Sequence, residues 1–144
     1  MNILFAGLAA LAVAQTPATG PEWTWTLYAD EAPLVLANEI PDTPNLRFTV
    51  ECQPGSGVAR VTLYGGRTEA GMARVTAGDA SAVAQSERHR SGGLRLALRA
   101  DHPVFAAFAA EGRITVSVSG QSRAVEVPRA HLAKLRRFTE LCAG

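Results

Sequence analysis

Two cysteines, Cys52 and Cys142, stand ninety residues apart, and each closes an apolar pattern of a different period. The stretch Leu46-Arg47-Phe48-Thr49-Val50-Glu51-Cys52 alternates, so a strand there sets Leu46, Phe48, Val50 and Cys52 on one face. The final stretch, RAHLAKLRRFTELC from Arg129 to Cys142, follows helical spacing. It gathers Leu132, Leu135, Phe138, Leu141 and Cys142 into one stripe and leaves Lys134, Arg136, Arg137 and Glu140 outside it. Both thiols therefore face the core, and we expect a Cys52–Cys142 disulfide that pins a strand to the terminal helix. On the chain-entropy argument such a closure stabilises the fold by about 4–5 kcal/mol. Two buried free thiols are the alternative. The cysteines do not form CxxC, which argues against a redox motif or a zinc knuckle.

Cysteines used in this way suit an oxidising compartment, and the start of the chain agrees. An apolar run from Ile3 to Val13 is too short to span a bilayer, which takes about 20 residues. Ala12-Val13-Ala14 has the small-x-small pattern of a signal-peptidase site, so residues 1–14 read as a signal peptide cleaved after Ala14. Only the α-amino group supplies positive charge ahead of that run. An uncleaved anchor and an N-terminal core segment are the competing readings. Residues 15–22 form a Pro/Gly/Thr lead-in expected to be flexible, and residues 23–144 form one β-rich domain. These features place the protein in the periplasm or outside the cell, with no transmembrane span after signal cleavage.

Within the domain, Trp23-Thr24-Trp25-Thr26-Leu27-Tyr28 alternates and predicts a strand with Trp23, Trp25 and Leu27 inward. The two tryptophans also suit an aromatic ligand shelf, although core packing is the simpler use. Short strands follow at Pro33–Ala37 and Leu46–Cys52, and Val58–Tyr64 returns as a hairpin partner after Gln53-Pro54-Gly55-Ser56-Gly57. Met72–Val75 predicts a weaker strand, while Asp79–Gly93 carries no clear period and reads as an exposed loop. Leu94–Arg99 is an amphipathic strand of alternating leucine and arginine. Asp101-His102-Pro103 opens a short helix with Val104, Phe105 and Phe108 on its apolar side, ending near Gly112. Arg113–Ser119 and Ser122–Val127 form a last hairpin, and Pro128 opens the terminal helix. The fold class is mainly β (α+β): an antiparallel sandwich or half-barrel of about seven or eight short strands, closed by a C-terminal helix.

Charge divides along the chain, with four Arg against eight acids from Gln15 to Gln85 and ten Lys and Arg against five acids thereafter. Such a split suits an anionic partner for the second half, or two halves that attract each other within the fold. Arg88, Arg90, Arg95 and Arg99 crowd the strand Leu94–Arg99 and are the candidate anion- or partner-binding residues. An ordinary solvated strand face is the alternative.

Catalytic chemistry is thinly represented. His89, His102 and His131 have no second histidine or carboxylate at i+3 or i+4, so no metal site is expected. There is no Gly-x-Ser-x-Gly elbow, and Gly65-Gly66 and Gly92-Gly93 match no phosphate-cradling loop. Asp30, Glu31 and Asp79 supply carboxylates whose separation nothing fixes. No catalytic residue and no cofactor are assigned.

The segments LRFTVEC, HPVFAAFAAEGRITVSVSG and FTELC resemble a loose group of exported, disulfide-linked bacterial envelope proteins, some of them accessories of type VI secretion. The resemblance implies a non-enzymatic periplasmic accessory. The expected function is accordingly an exported binding module acting through a cell-envelope protein, with no nucleic-acid partner. A small-ligand or enzyme-inhibitor domain using Gly65–Gly93 is the alternative, and an envelope hydrolase a third reading.

Overall fold

The structure is a computed structural model that describes residues 22–67 and 69–144. The signal peptide at 1–14 and all of the lead-in but Glu22 lie outside the described residues. The alternating segments become β1 (Thr24–Tyr28), β2 (Leu34–Glu39), β3 (Leu46–Cys52), β4 (Val58–Leu63), β5 (Met72–Ala77), β6 (Ala80–Arg88) and β7 (Leu94–Arg99). Helix α1 (Pro103–Glu111), β8 (Arg113–Val118) and β9 (Gln121–Glu126) follow, then a 3₁₀ turn at Arg129–His131 and α2 (Leu132–Ala143). Every pairing is antiparallel, in the order β1-β2-β3-β4-β7-β6-β5-β8-β9.

This is one curled half-barrel sheet, the second of the two expected architectures and not a sandwich, and it has nine strands where seven or eight were expected. The additional strand is β6, in the segment 79–93 read as a loop. Its inward positions are Ala82 and Ser86, with the half-buried Ala80 and Ala84. Such small side chains give little hydrophobic contrast along the sequence. They suit this place because α1 lies directly against β5, β6 and β8. The strand also changes partners midway, with Ala80–Gln85 pairing β5 and Ser86–Arg88 pairing β7. Ser86 marks that change: its Oγ donates to Gly71 O at 2.7 Å and accepts from Gly71 N–H at 3.0 Å.

The inward face collects Phe48, Val50, Val61, Leu96, Val75 and Ile114, and the two helices bury Phe105, Phe108, Leu135 and Phe138 against them. Phe48 joins the groups, with its ring 5.7 Å from Trp25 and edge-on to Phe108 at 6.3 Å. Trp25 is buried as expected. Trp23 precedes β1 and is only half-buried, with the Arg47 guanidinium 3.8 Å over its ring. The cap of α1 is His102, whose Nδ1 accepts from Val104 N–H at 3.1 Å, while Asp101 turns back to Arg99. The helix ends at Gly112, left-handed at φ 76°, where an added Cβ would sit 2.6 Å from Val127 O.

Cys52 and Cys142 form the disulfide, with Cα atoms 5.7 Å apart. The β3–β4 turn reinforces it: Gly55 and Gly57 N–H donate to Leu141 O and Cys142 O at 3.3 and 3.1 Å. Carbonyls in the last turn of a helix have no partner within it, so the PGSG turn serves as an external cap. Lys134 Nζ donates to Trp25 O at 2.6 Å and fastens the same helix to β1. Among the described residues no helix is long and apolar enough to cross a membrane.

Candidate partner-binding face

Alternation fixes which arginines share a surface. Arg95 and Arg99 lie on β7 between the buried Leu94, Leu96 and Leu98, so they point outward together. They do not act as a pair. The Nε and NH2 groups of Arg99 donate to the two carboxylate oxygens of Asp101 at 2.9 and 2.8 Å. That bidentate bond holds the Asp101 carboxyl below the usual carboxylate range and raises the Arg99 guanidinium. Arg95 reaches Glu87 Oε2 only at 3.9 Å, at the limit of an exposed ion pair.

Arg88 stands opposite Leu94, so it leaves β6 on the face away from its neighbour Glu87 and from Arg95. Arg90 lies in the β6–β7 turn and is exposed. The four candidate arginines thus do not assemble into one strip. Arg60 takes their place beside Arg95. It is an outward residue of β4, with Val58 and Thr62 on the same face, directly across from Ala97 on β7 and Glu51 on β3. Alternation in Val58–Leu63 already turned Arg60 outward. What sequence spacing lacked was the β4–β7 pairing, which joins strands separated by two others in the chain.

Arg60, Gln85, Glu87, Arg95, Leu96 and Ala97 line a shallow groove of about 370 Å³ where β6 parts from β7. Gln85 is paired across β5–β6 with Met72, and the diagonal neighbour of Met72 on the same outer face is Val83. Met72 is 59% exposed and Val83 58%. The groove therefore leads toward the exposed Met72 and Val83, with Arg60 and Arg95 lining it and Arg74 directly across from Val83.

The remaining chemical groups are committed locally. His89 Nδ1 lies 2.8 Å from Ser91 Oγ, and its ring meets Tyr64 edge-on at 5.4 Å. His131, in the 3₁₀ turn rather than in α2, contacts Lys134 Nζ at 3.2 Å. The Tyr28 hydroxyl donates to Glu39, which raises the phenol above its ordinary value. Among the described residues no group of three His, Cys, Asp or Glu side chains converges as a metal site. No protein-family model, curated protein or solved structure matches the chain.

Proposed function

We propose that the protein is an exported, non-enzymatic binding module, freed of its signal after Ala14, that works through a protein of the cell envelope. The outer face around Arg60, Arg95, Met72 and Val83 is the surface that meets this partner. The exposure of Met72 and Val83 on adjacent strands carries this reading. Contiguous exposed apolar side chains mark interaction sites, and methionine and arginine are enriched where proteins meet. The sheet holds the backbone beneath these side chains at fixed spacing, so the ordering cost of binding is confined to the side chains. The disulfide supports the extracytoplasmic assignment, because such bonds persist where thiols are not kept reduced. The segments it joins, LRFTVEC and FTELC, are also two of those that resemble envelope accessory proteins.

The test is capture from envelope extracts with the wild-type chain and with a Met72→Asp/Val83→Asp variant. A partner retained by the wild type and lost by the folded variant is the expected result. Equal recovery with both chains would remove this face from the function, and no specific partner under gentle extraction would remove the partner itself.

A further inference from the structure

The curl of the sheet brings β9, at one end of the strand order, against the open ends of β2, β3 and β4. Arg123 on β9 donates from NH1 and NH2 to Gly65 O and Tyr64 O at 3.1 and 2.8 Å, the two carbonyls that follow β4. A groove of about 360 Å³ remains beside this latch. Trp25, Asn38, Arg47 and Phe48 line one wall, and Arg123, Ala124, Val125 and Glu126 the other. Its volume lies within the range of small-ligand sites.

Arg47 and Arg123 both line this groove, and neither makes an ion pair among the described residues. Arg123 is partly desolvated, which lowers its pKa, and only neutral carbonyls offset that cost. The Arg47 guanidinium carbon lies 3.8 Å over the Trp23 ring, a cation–π contact that uses the face of the group and not its N–H donors. Glu126 also lines the groove, and its carboxylate is held by Arg113 at 2.7 Å. Alternation along β9 turns Glu126 to the face opposite Arg123 and Val125, so its charge is met by Arg113 and not by the arginines of the groove. Val125, on the same side of β9 as Arg123, adds an apolar surface beside the cations.

We propose that the groove between β3 and β9 is a carboxylate-binding site, in which Arg47 and Arg123 hold the carboxylate of a ligand and Val125 receives the apolar group next to it. The ligand is a small acyl amino acid or the free C-terminus of a peptide, which share this chemistry. The site is separate from the outer partner-binding face and does not depend on it.

The full chain is titrated by NMR, following the Trp25 indole and the Arg47 and Arg123 Nε signals. The probes are N-acetyl-leucine, its primary amide, acetyl-Ala-Ala-Leu with a free carboxylate, and inorganic phosphate. Both carboxylates are expected to shift these signals in the millimolar range or below, and the amide to bind at least tenfold more weakly. A tripeptide that binds tighter than N-acetyl-leucine identifies a peptide terminus as the source, and equal binding a small carboxylate. Arg47→Gln should weaken binding about tenfold, as for a lost charge-assisted hydrogen bond, and Arg129→Gln, at an exposed position outside the groove, should leave it unchanged. Arg123→Gln also opens the latch to β4, so Arg47→Gln is the decisive variant. Equal binding of the amide, unchanged binding by Arg47→Gln, tighter binding of phosphate, or no shift at about 10 mM ligand would overturn the proposal.

Discussion

Ser86 shows how one small polar side chain lets a strand belong to two parts of a sheet. It is 2% exposed, and its hydroxyl and backbone N–H together make three hydrogen bonds to Gly71. Ser86→Ala removes the two made by the hydroxyl and strands Gly71 N–H. Urea denaturation should read a loss of about 1–3 kcal/mol. Ser86→Val, which adds bulk where β6 turns from β5 to β7, should cost at least as much.

Asp101 offers a different test, because its partner lies two residues away and both are exposed. The hydrogen bond from Arg99 depresses its folded pKa, so its contribution is present above the ordinary carboxylate range and fades as pH falls through the depressed value. A carbon-detected NMR titration should place the Asp101 midpoint below that range, and Arg99→Ala should return it upward. An unmoved midpoint in the variant would show that the pair does not form in solution. This pairing was hidden in the sequence, where Asp101-His102-Pro103 marked a helix start without deciding between Asp101 and His102 as its cap. Both have a side-chain acceptor at nearly the same place in the chain, and only the path of the backbone after β7 decides which one reaches Val104 N–H.

At the scale of elements, strands with strong contrast between faces were legible and those with small inward residues were not. Leu46–Cys52 and Leu94–Arg99 have the bounds that alternation gave them, because Phe48, Val50 and the leucines differ sharply from the charged residues between. In β6, by contrast, Ala82 and Ser86 face the core while Val83 faces solvent, so the apolar signal runs against the burial. The exposed Val83 that obscured the strand is also part of the proposed partner surface.

The β6–β7 connection carries a further constraint. Gly93 is buried, and an added Cβ would lie 1.8 Å from Leu63 O, inside the backbone of β4. Leu94 pairs with Leu63 immediately afterwards, so the strand cannot move aside without losing that register. Gly93→Ala should therefore destabilise by at least about 2 kcal/mol in thermal or urea unfolding. Gly92→Ala meets no neighbour but must adopt φ 88°, and it should cost about 1–2 kcal/mol from backbone strain alone. A reversed order of these two variants would contradict the close approach of β7 to β4.

For the whole molecule, the apolar periods and the two cysteines were enough to predict an antiparallel β fold closed by a terminal helix. They did not reveal the strand order, since β4–β7 and β5–β8 join segments distant in the chain. The candidate site shared that limit: Arg95 was visible, but Arg60 reached it only through the β4–β7 pairing, and Met72 and Val83 joined the same face through β6, the strand read as a loop. The β3–β4 turn, the disulfide and α2 act as one clasp at the end of the chain. Cys142→Ala should cost about 2–5 kcal/mol, with the backbone bonds from Gly55 and Gly57 keeping the helix docked in the folded fraction.

The most direct test of an exported, disulfide-closed module is peptide mapping of protein taken from the producing cell, with thiols alkylated before lysis and no reductant present. The account predicts a mature chain that starts at Gln15, lies in the extracytoplasmic fraction and yields one cross-linked peptide joining Cys52 to Cys142. A cytoplasmic chain that keeps its first residues and carries both cysteines alkylated would contradict it.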